Sequence, residues 1–285
     1  MIAFSLRAGT LPSRRQSVVI SDLPGTLMRN VLLILAGIAV TLSSPAFGQR
    51  TDDDKYVGIG ARLRPAYLGA DSSRGDVIPY LRLYGEHFFA RTTQGMLEGG
   101  WRTRPFGGWV FGAQLAYEEG RISDDSAFLK DHHLEDLEPS ASIGLHAEGE
   151  WQFGPMPLNA LLRVRHDIDA ENGNRADVRV TAGVLDWGRF RAGVYGQLTW
   201  SDDKSTQRYF GLTTQQSASS GLPAYNAGAG LAYAELGVLG DVNLAKHWLG
   251  LWGASVVQLQ GDAKGSPLTR DRTNWFANAG IAYRF

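Results

Sequence analysis

The sequence predicts an all-β fold: a transmembrane antiparallel up-and-down β-barrel of about twelve strands, within a range of about ten to fourteen. Three observations carry this. First, the last eleven residues alternate. Trp275, Ala277, Ala279, Ile281, Tyr283 and Phe285 share one face, and Asn278, Gly280, Ala282 and Arg284 the other, with Phe276 out of keeping. An apolar face with aromatics at its ends, opposite a small or polar face, is the pattern of a strand between lipid and lumen. Second, the same two-residue period recurs along the chain over runs of about 9–11 residues, the length of a tilted membrane strand. Third, short turns and longer polar connections alternate, as an even-stranded barrel requires. A soluble sandwich shares the period but seldom sets so many aromatics on its outward face.

In chain order, Met28-Arg29-Asn30 precedes the apolar run Val31–Val40 and the small-x-small pattern Ala46-Phe47-Gly48. This reads as a signal peptide over 28–48, cleaved near Gly48-Gln49. The apolar run is shorter than the roughly 20 residues a spanning helix needs. Residues 1–27 carry Arg7, Arg14 and Arg15 without a second apolar core and read as an over-called extension ahead of the true start at Met28. The barrel is then residues 49–285. The chain has no cysteine, which removes thiol catalysis and thiolate metal sites, and at 285 residues it does not need disulfides. A net charge of −1 argues against a nucleic-acid partner.

Strands are expected near 55–66, 77–85, 86–92, 95–103, 108–119, 139–152, 157–169, 176–187, 189–201, 232–244, 249–261 and 274–285. In 108–118, Trp109, Phe111, Ala113, Leu115 and Tyr117 oppose Gly112, Gln114, Ala116 and Glu118. In 160–169, Leu162, Val164, His166 and Ile168 oppose Arg163, Arg165, Asp167 and Asp169. In 189–200, Phe190, Ala192, Val194, Gly196, Leu198 and Trp200 oppose Arg189, Arg191, Gly193, Tyr195, Gln197 and Thr199. In 232–244 the same holds except at Leu239. The segments 86–92 and 95–103 could be read as one strand. Merging them, however, would put the polar connection 120–138 on the same side as the short turns at 104–107, 153–156, 187–188 and 245–248. Connections 120–138, 170–175, 202–231 and 262–273, rich in Asp, Ser, Gly and Gln, read as solvated loops.

This patterning turns Arg163, Arg165, Arg179, Arg189, Arg191, Asp167 and Asp169 toward the lumen, joined by Glu148 and Glu150 if 139–152 keeps its register. Two readings compete. The charges cross-pair and plug the barrel, since a buried charge requires a partner, or they line a water-filled channel and set its ion preference.

Other chemistry is weaker. His132-His133 lies in an acidic loop, but adjacent histidines point apart in an extended chain. Asp124-Asp125 and Asp202-Asp203 lack the spaced oxygens of a calcium loop. His87 and His247 stand at turns beside Phe88 and Trp248 and read as interface residues, and no role is assigned to His146. A wall hydrolase around His166 would need a serine and a carboxamide or carboxylate beside it on the same face, and no such alternating set appears. Gly228-Ala229-Gly230 leads into a strand, so it is no phosphate loop. No catalytic, cofactor-binding or metal-ligating residue is assigned, and no enzyme activity or cofactor is expected.

Four segments taken in order carry a family resemblance. They are Arg64-Pro65-Ala66-Tyr67-Leu68-Gly69-Ala70-Asp71; Tyr209–Thr213 with Ser220-Gly221-Leu222-Pro223-Ala224-Tyr225; Leu259–Leu268, with Gly261, Asp262 and Pro267; and the ending Gly280–Phe285. Together they resemble the MipA/OmpV family of outer-membrane proteins. The resemblance implies a barrel in the outer membrane of a Gram-negative bacterium. Lipid and lipopolysaccharide would surround it, and barrel-assembly machinery would insert it, with Tyr283 and Phe285 as the C-terminal insertion signal. It also implies a scaffold linking a murein hydrolase, a lytic transglycosylase, to a murein synthase, although other members are porin-like, osmotically regulated or adhesive. The matching segments themselves supply loop structure: Gly69, Gly221 and Gly261 permit positive φ, while Pro65, Pro223 and Pro267 stiffen loop exits. Turns this short leave little surface for a broad interface, which normally buries over about 1,000 Å².

Overall fold

The structure is a computed structural model and describes residues 55–93 and 95–285. The expected leader and extension, residues 1–48, lie outside the described residues. Twelve strands close a barrel. They are β1 (Tyr56–Pro65), β2 (Ser73–Tyr84), β3 (Phe88–Thr93), β4 (Met96–Phe106), β5 (Trp109–Glu118), β6 (Ser140–Phe153), β7 (Met156–Asp167), β8 (Asn174–Trp187), β9 (Phe190–Ser201), β10 (Gly230–Ala245), β11 (Trp248–Leu259) and β12 (Thr273–Arg284). Each pairs antiparallel with its chain neighbours, and β1 pairs with β12 from Tyr56↔Arg284 to Leu63↔Ala277, so the sheet closes on itself. The doubtful segments 86–92 and 95–103 are two strands, and β2 begins four residues earlier than expected.

The two faces separate as the period requires. Val57, Ile59, Leu145, Leu162, Val164, Val180 and Ile281 are exposed on the outside. Aromatic residues ring the end where the turns are shortest. Trp109 packs edge-on to Trp151 at 5.3 Å, Trp248 to Tyr283 at 5.4 Å and Tyr283 to Phe285 at 5.6 Å, with His87 stacked on Trp101 and His247 on Tyr283. This is the girdle of a membrane barrel at an interface.

The β3–β4 hairpin is short. β3 pairs with β2 only from Arg82↔Arg91 to Tyr84↔Phe89, which leaves the upper part of β2 without a β3 neighbour. Side chains span that notch: Arg62 and Arg64 both reach Glu119, and Arg74 pairs with Asp125.

The long connections are not solvated loops, and here the structure corrects the sequence reading. They form four short helices, α1 (Ala127–Asp131), α2 (Asp203–Phe210), α3 (Thr214–Ser220) and α4 (Gly261–Gly265). Around these, Tyr67, Leu129, Leu134, Leu212 and Leu268 build one buried cluster, and Phe210, Val257, Leu259 and Ala263 a second. Polar composition hid this because each loop contributes only one to three apolar anchors. Phe276, the misfit of the last strand, faces inward and packs under the second cluster.

Candidate functional site

Midway along the lumen, charged side chains from β3 to β8 meet. Glu98 on β4 accepts hydrogen bonds from Arg91 on β3, from Gln114 on β5 (2.7 Å), and from Arg163 on β7 (2.7 Å), which lies three strands away. Arg163 also donates to Asp177 on β8 at 2.9 Å. Asp177 takes a second bond from Arg165 (2.9 Å) and a third from the Thr199 hydroxyl (2.8 Å). Arg165 reaches Glu118 on β5 at 2.6 Å, and Arg175 on β8 meets the other oxygen of Glu118 at 2.8 Å. Arg91 continues the chain to Glu148 at 2.6 Å. Arg163, Glu98 and Asp177 are almost wholly buried. A charge removed from water needs an opposite charge and hydrogen bonds, and here each carboxylate has several. The network links β3 to β8 through the lumen.

The four helices form a lid over the loop end. The Tyr67 hydroxyl donates to the Leu268 carbonyl at 2.9 Å, and the Gly69 amide donates to the Asn274 side chain at 2.6 Å. Gly69, Gly221 and Gly261 all have positive φ, as expected from their place in the loops. Asp262 accepts from the Gly228 amide at 2.7 Å, and the Ser266 hydroxyl donates to the Phe210 carbonyl. Burial pushes the Tyr67 phenol above its usual range, against the pull of Arg121.

Below the network lies a cavity of about 410 Å³ that runs down to the turn end, where Tyr56, Arg104, Gln152 and Pro157 line it. Its walls differ. On the β1–β2–β11–β12 side, Leu249, Leu251 and Ala282 pack with Tyr56 and Tyr80. Tyr80 lies flat because Gly60 and Gly280 leave room where any Cβ would strike its ring. Leu239, the exception in the β10 pattern, lines the same space. Among the cavity's charged residues cations dominate: Arg82, Arg91, Arg102, Arg104, Arg179 and Arg191 outnumber Glu148, Glu150 and Asp241.

A model of the family described as "MltA-interacting protein MipA" matches residues 57–285, which spans every strand and the lid. The chain belongs to the MipA family. Three of the four segments that carried the resemblance in sequence meet in three dimensions. Arg64–Asp71, Tyr209–Tyr225 and Leu259–Leu268 together supply most of the lid's apolar cores. In this MipA-family barrel the family pattern therefore marks the closure of the loop end.

Among solved structures, the chain is similar to an outer membrane channel from Pseudomonas putida F1, with 10% identity, 86% of this chain and 100% of that chain covered, and a TM-score of 0.50. It is also similar to the NanC porin, with 8% identity, 81% and 100% covered and a TM-score of 0.46. LpxR from Salmonella typhimurium matches at 7% identity, 80% and 100% covered and a TM-score of 0.44. At such identities the likeness concerns the fold alone. No curated protein matches the chain in sequence.

The seven charges expected in the lumen divide. Arg163, Arg165 and Arg179 are buried inside, as is Asp167, which accepts from the Ser140 hydroxyl at 2.6 Å. Arg191 faces inward and pairs with Asp241 at 2.9 Å. Arg189 and Asp169 depart from expectation because the strands end before them. Arg189 sits exposed in the β8–β9 turn, and Asp169 caps a short 3-10 turn through the Glu171 amide. Glu148 and Glu150 keep their register and line the cavity. Sequence reasoning missed Glu98, Glu118 and Asp177, the acidic partners of the network. The inward register of Glu98 was available in Leu97-Glu98-Gly99, but glycines at 99 and 100 blur the alternation there.

His166 accepts or donates a hydrogen bond to Asn174 at 2.8 Å on the outer surface. Its neighbours on that face are Val164 and Ile168, and its cross-strand partners are Ile143 and Asn174, none of which carries a nucleophile. His132 contacts the Ser220 carbonyl and His146 is buried edge-on to Phe89. Among the described residues no group of three or more metal-ligating side chains occurs.

Proposed function

We propose that this protein is a closed barrel of the Gram-negative outer membrane that serves as an anchor for murein-processing enzymes on its periplasmic side. The observation that carries the reading is the ion-pair bridge Glu98–Arg163–Asp177, which joins β4 to β8 across the lumen and argues against an open diffusion pore. The packed lid adds a second barrier at the loop end. In a bacterial barrel short turns face the periplasm and long loops the exterior, so the lid lies outside and the cavity opens inward. The name of the family points to a murein hydrolase as the partner. Export through the signal segment 28–48 and insertion through Tyr283 and Phe285 belong to the same reading.

The periplasmic turns are very short, with 85–87, 107–108, 154–155, 188–189 and 246–247 between successive strands. A partner would therefore contact the rim and the cavity mouth. Photo-crosslinking from the turns tests this. Adducts with a lytic transglycosylase or a murein synthase from positions 154, 188 and 246, and none from lid positions, support the anchor. Absence of adducts at every turn position contradicts it.

The second reading, a narrow porin-like channel, is favoured by one observation, the arginine-rich lining of the cavity. It requires the bridge to open, and conductance decides it.

A further inference from the structure

We propose that the periplasmic cavity is a binding site for a small amphipathic anion, one with a single acidic group on an apolar body. Three observations carry this. The cavity of about 410 Å³ is within the range that holds a drug-sized ligand. Part of its wall is apolar: Leu251 and Tyr80 form it, and Leu239 extends it. Two guanidinium groups that the lumen network does not use also line it, Arg82 on β2 beside the apolar wall and Arg179 on β8.

Arg179 is buried to 9% exposure. Glu235, which accepts from the Tyr195 hydroxyl, acts on it at a distance, but among the described residues no carboxylate forms a direct ion pair with Arg179. Its guanidinium lies 3.9 Å from the centre of the Tyr195 ring, and its Nε has no hydrogen-bond partner. Arg82 lies 4.7 Å from the Tyr84 ring, and its buried Nε likewise has no partner. Arg163 and Arg165, one strand away from Arg179, show the contrast, since each holds two carboxylates. A guanidinium buried against an aromatic face, with a donor unused, is suited to accept an anion from outside. The apolar wall would leave a purely hydrophilic anion with unfavourable contacts, so an amphipathic one fits best. Arg91 and Glu148 of the network border the cavity, and on the reading proposed above the site is reached from the periplasm.

The test uses the whole barrel in nanodiscs of zwitterionic lipid, with empty discs as background, and isothermal titration of octyl phosphate, octanoate, octyl glucoside and inorganic phosphate. Saturable binding of octyl phosphate or octanoate at one site per barrel is expected, with octyl glucoside and inorganic phosphate at least tenfold weaker. Whichever of the two acids binds tighter identifies the headgroup. Arg179→Gln and Arg82→Gln should each weaken that binding about tenfold, while Arg189→Gln, on an exposed turn, leaves it unchanged. Folding of each variant is checked by heat-modifiable gel migration. If neither acid binds above the empty-disc background, the site does not exist. Equal binding by folded Arg179→Gln and Arg82→Gln, or equal binding by octyl glucoside, would also overturn the proposal.

Discussion

Arg163 on β7 and Glu98 on β4 meet at 2.7 Å across the lumen, three strands apart in the wall, and both are almost wholly buried. Each also bonds to neighbouring strands, Arg163 to Asp177 on β8 and Glu98 to Arg91 on β3 and Gln114 on β5. The contact between the two is the step that leaves the wall and crosses the lumen.

Breaking that pair from one side should be costly. Arg163→Ala leaves Glu98 and Asp177 short of a cation, and removing one partner of a buried pair typically costs about 3–5 kcal/mol. Urea unfolding of the barrel in lipid vesicles should show a loss of that order for Arg163→Ala. Replacing Arg163 and Glu98 together by Met and Gln should cost less than the two single losses added, because fewer charges are stranded. Strict additivity would mean that the two residues do not interact as the distance implies.

The lid rests on a few apolar anchors, and Leu129 and Leu268 are almost completely buried in the first of its clusters. Truncating either to alanine should destabilise the lid by about 2–5 kcal/mol without dissolving the barrel. On intact cells, trypsin should then cut at the exposed Arg270 faster in Leu268→Ala than in the wild type. Equal resistance would show that the lid does not depend on this cluster.

Asp202 offers a pH test outside the membrane wall. Its carboxylate caps α2, accepting from the Ser205 amide at 2.9 Å, and also takes the Asn174 amide at 2.8 Å and side chain at 2.6 Å. Burial works to raise its pKa, but these donors and Lys204 outweigh it and hold the group below its usual range. A folded-state pKa below the unfolded one contributes stability that is complete above the unfolded value, about 3.9 for aspartate, and is lost as the pH falls through the folded value. Protection of the Ser205 amide from hydrogen exchange, corrected for intrinsic rate, should therefore fall below about pH 4. Asp202→Asn should abolish that dependence, and Asp202→Ala should cost about 1 kcal/mol at neutral pH. A flat profile in the wild type would contradict the capping role.

Leu145 projects from the middle of β6 and is exposed on the outer surface. If that surface faces hydrocarbon, Leu145→Arg should cost about 2–4 kcal/mol when placed near the bilayer midplane, measured by unfolding from vesicles. A cost below about 0.5 kcal/mol, as for an ordinary surface substitution, would place Leu145 in water.

Much of the wall was legible because a strand between lipid and lumen imposes its period on every residue. Trp275 to Phe285 and Trp109 to Glu118 follow it, and Leu239 and Phe276 depart from it only because they pack inside. Parity separated β3 from β4 where composition could not. The lid was not legible. Leu129, Leu212 and Leu268 are isolated apolar residues in polar segments, and nothing local shows that they converge. The network was half legible: Arg163 and Arg165 stood out by alternation, but pairing across the lumen depends on barrel size and strand tilt. Arg189 and Asp169 were misplaced for a simpler reason, since alternation cannot say where a strand stops.

The most direct test is single-channel recording of the folded barrel in a planar bilayer, beside a variant carrying Arg163→Ala and Glu98→Ala. A lumen closed by the Glu98–Arg163–Asp177 bridge and the lid predicts a silent wild type, with any conductance confined to the variant. Stable, discrete conductance steps in the wild type would contradict closure and make the protein a channel.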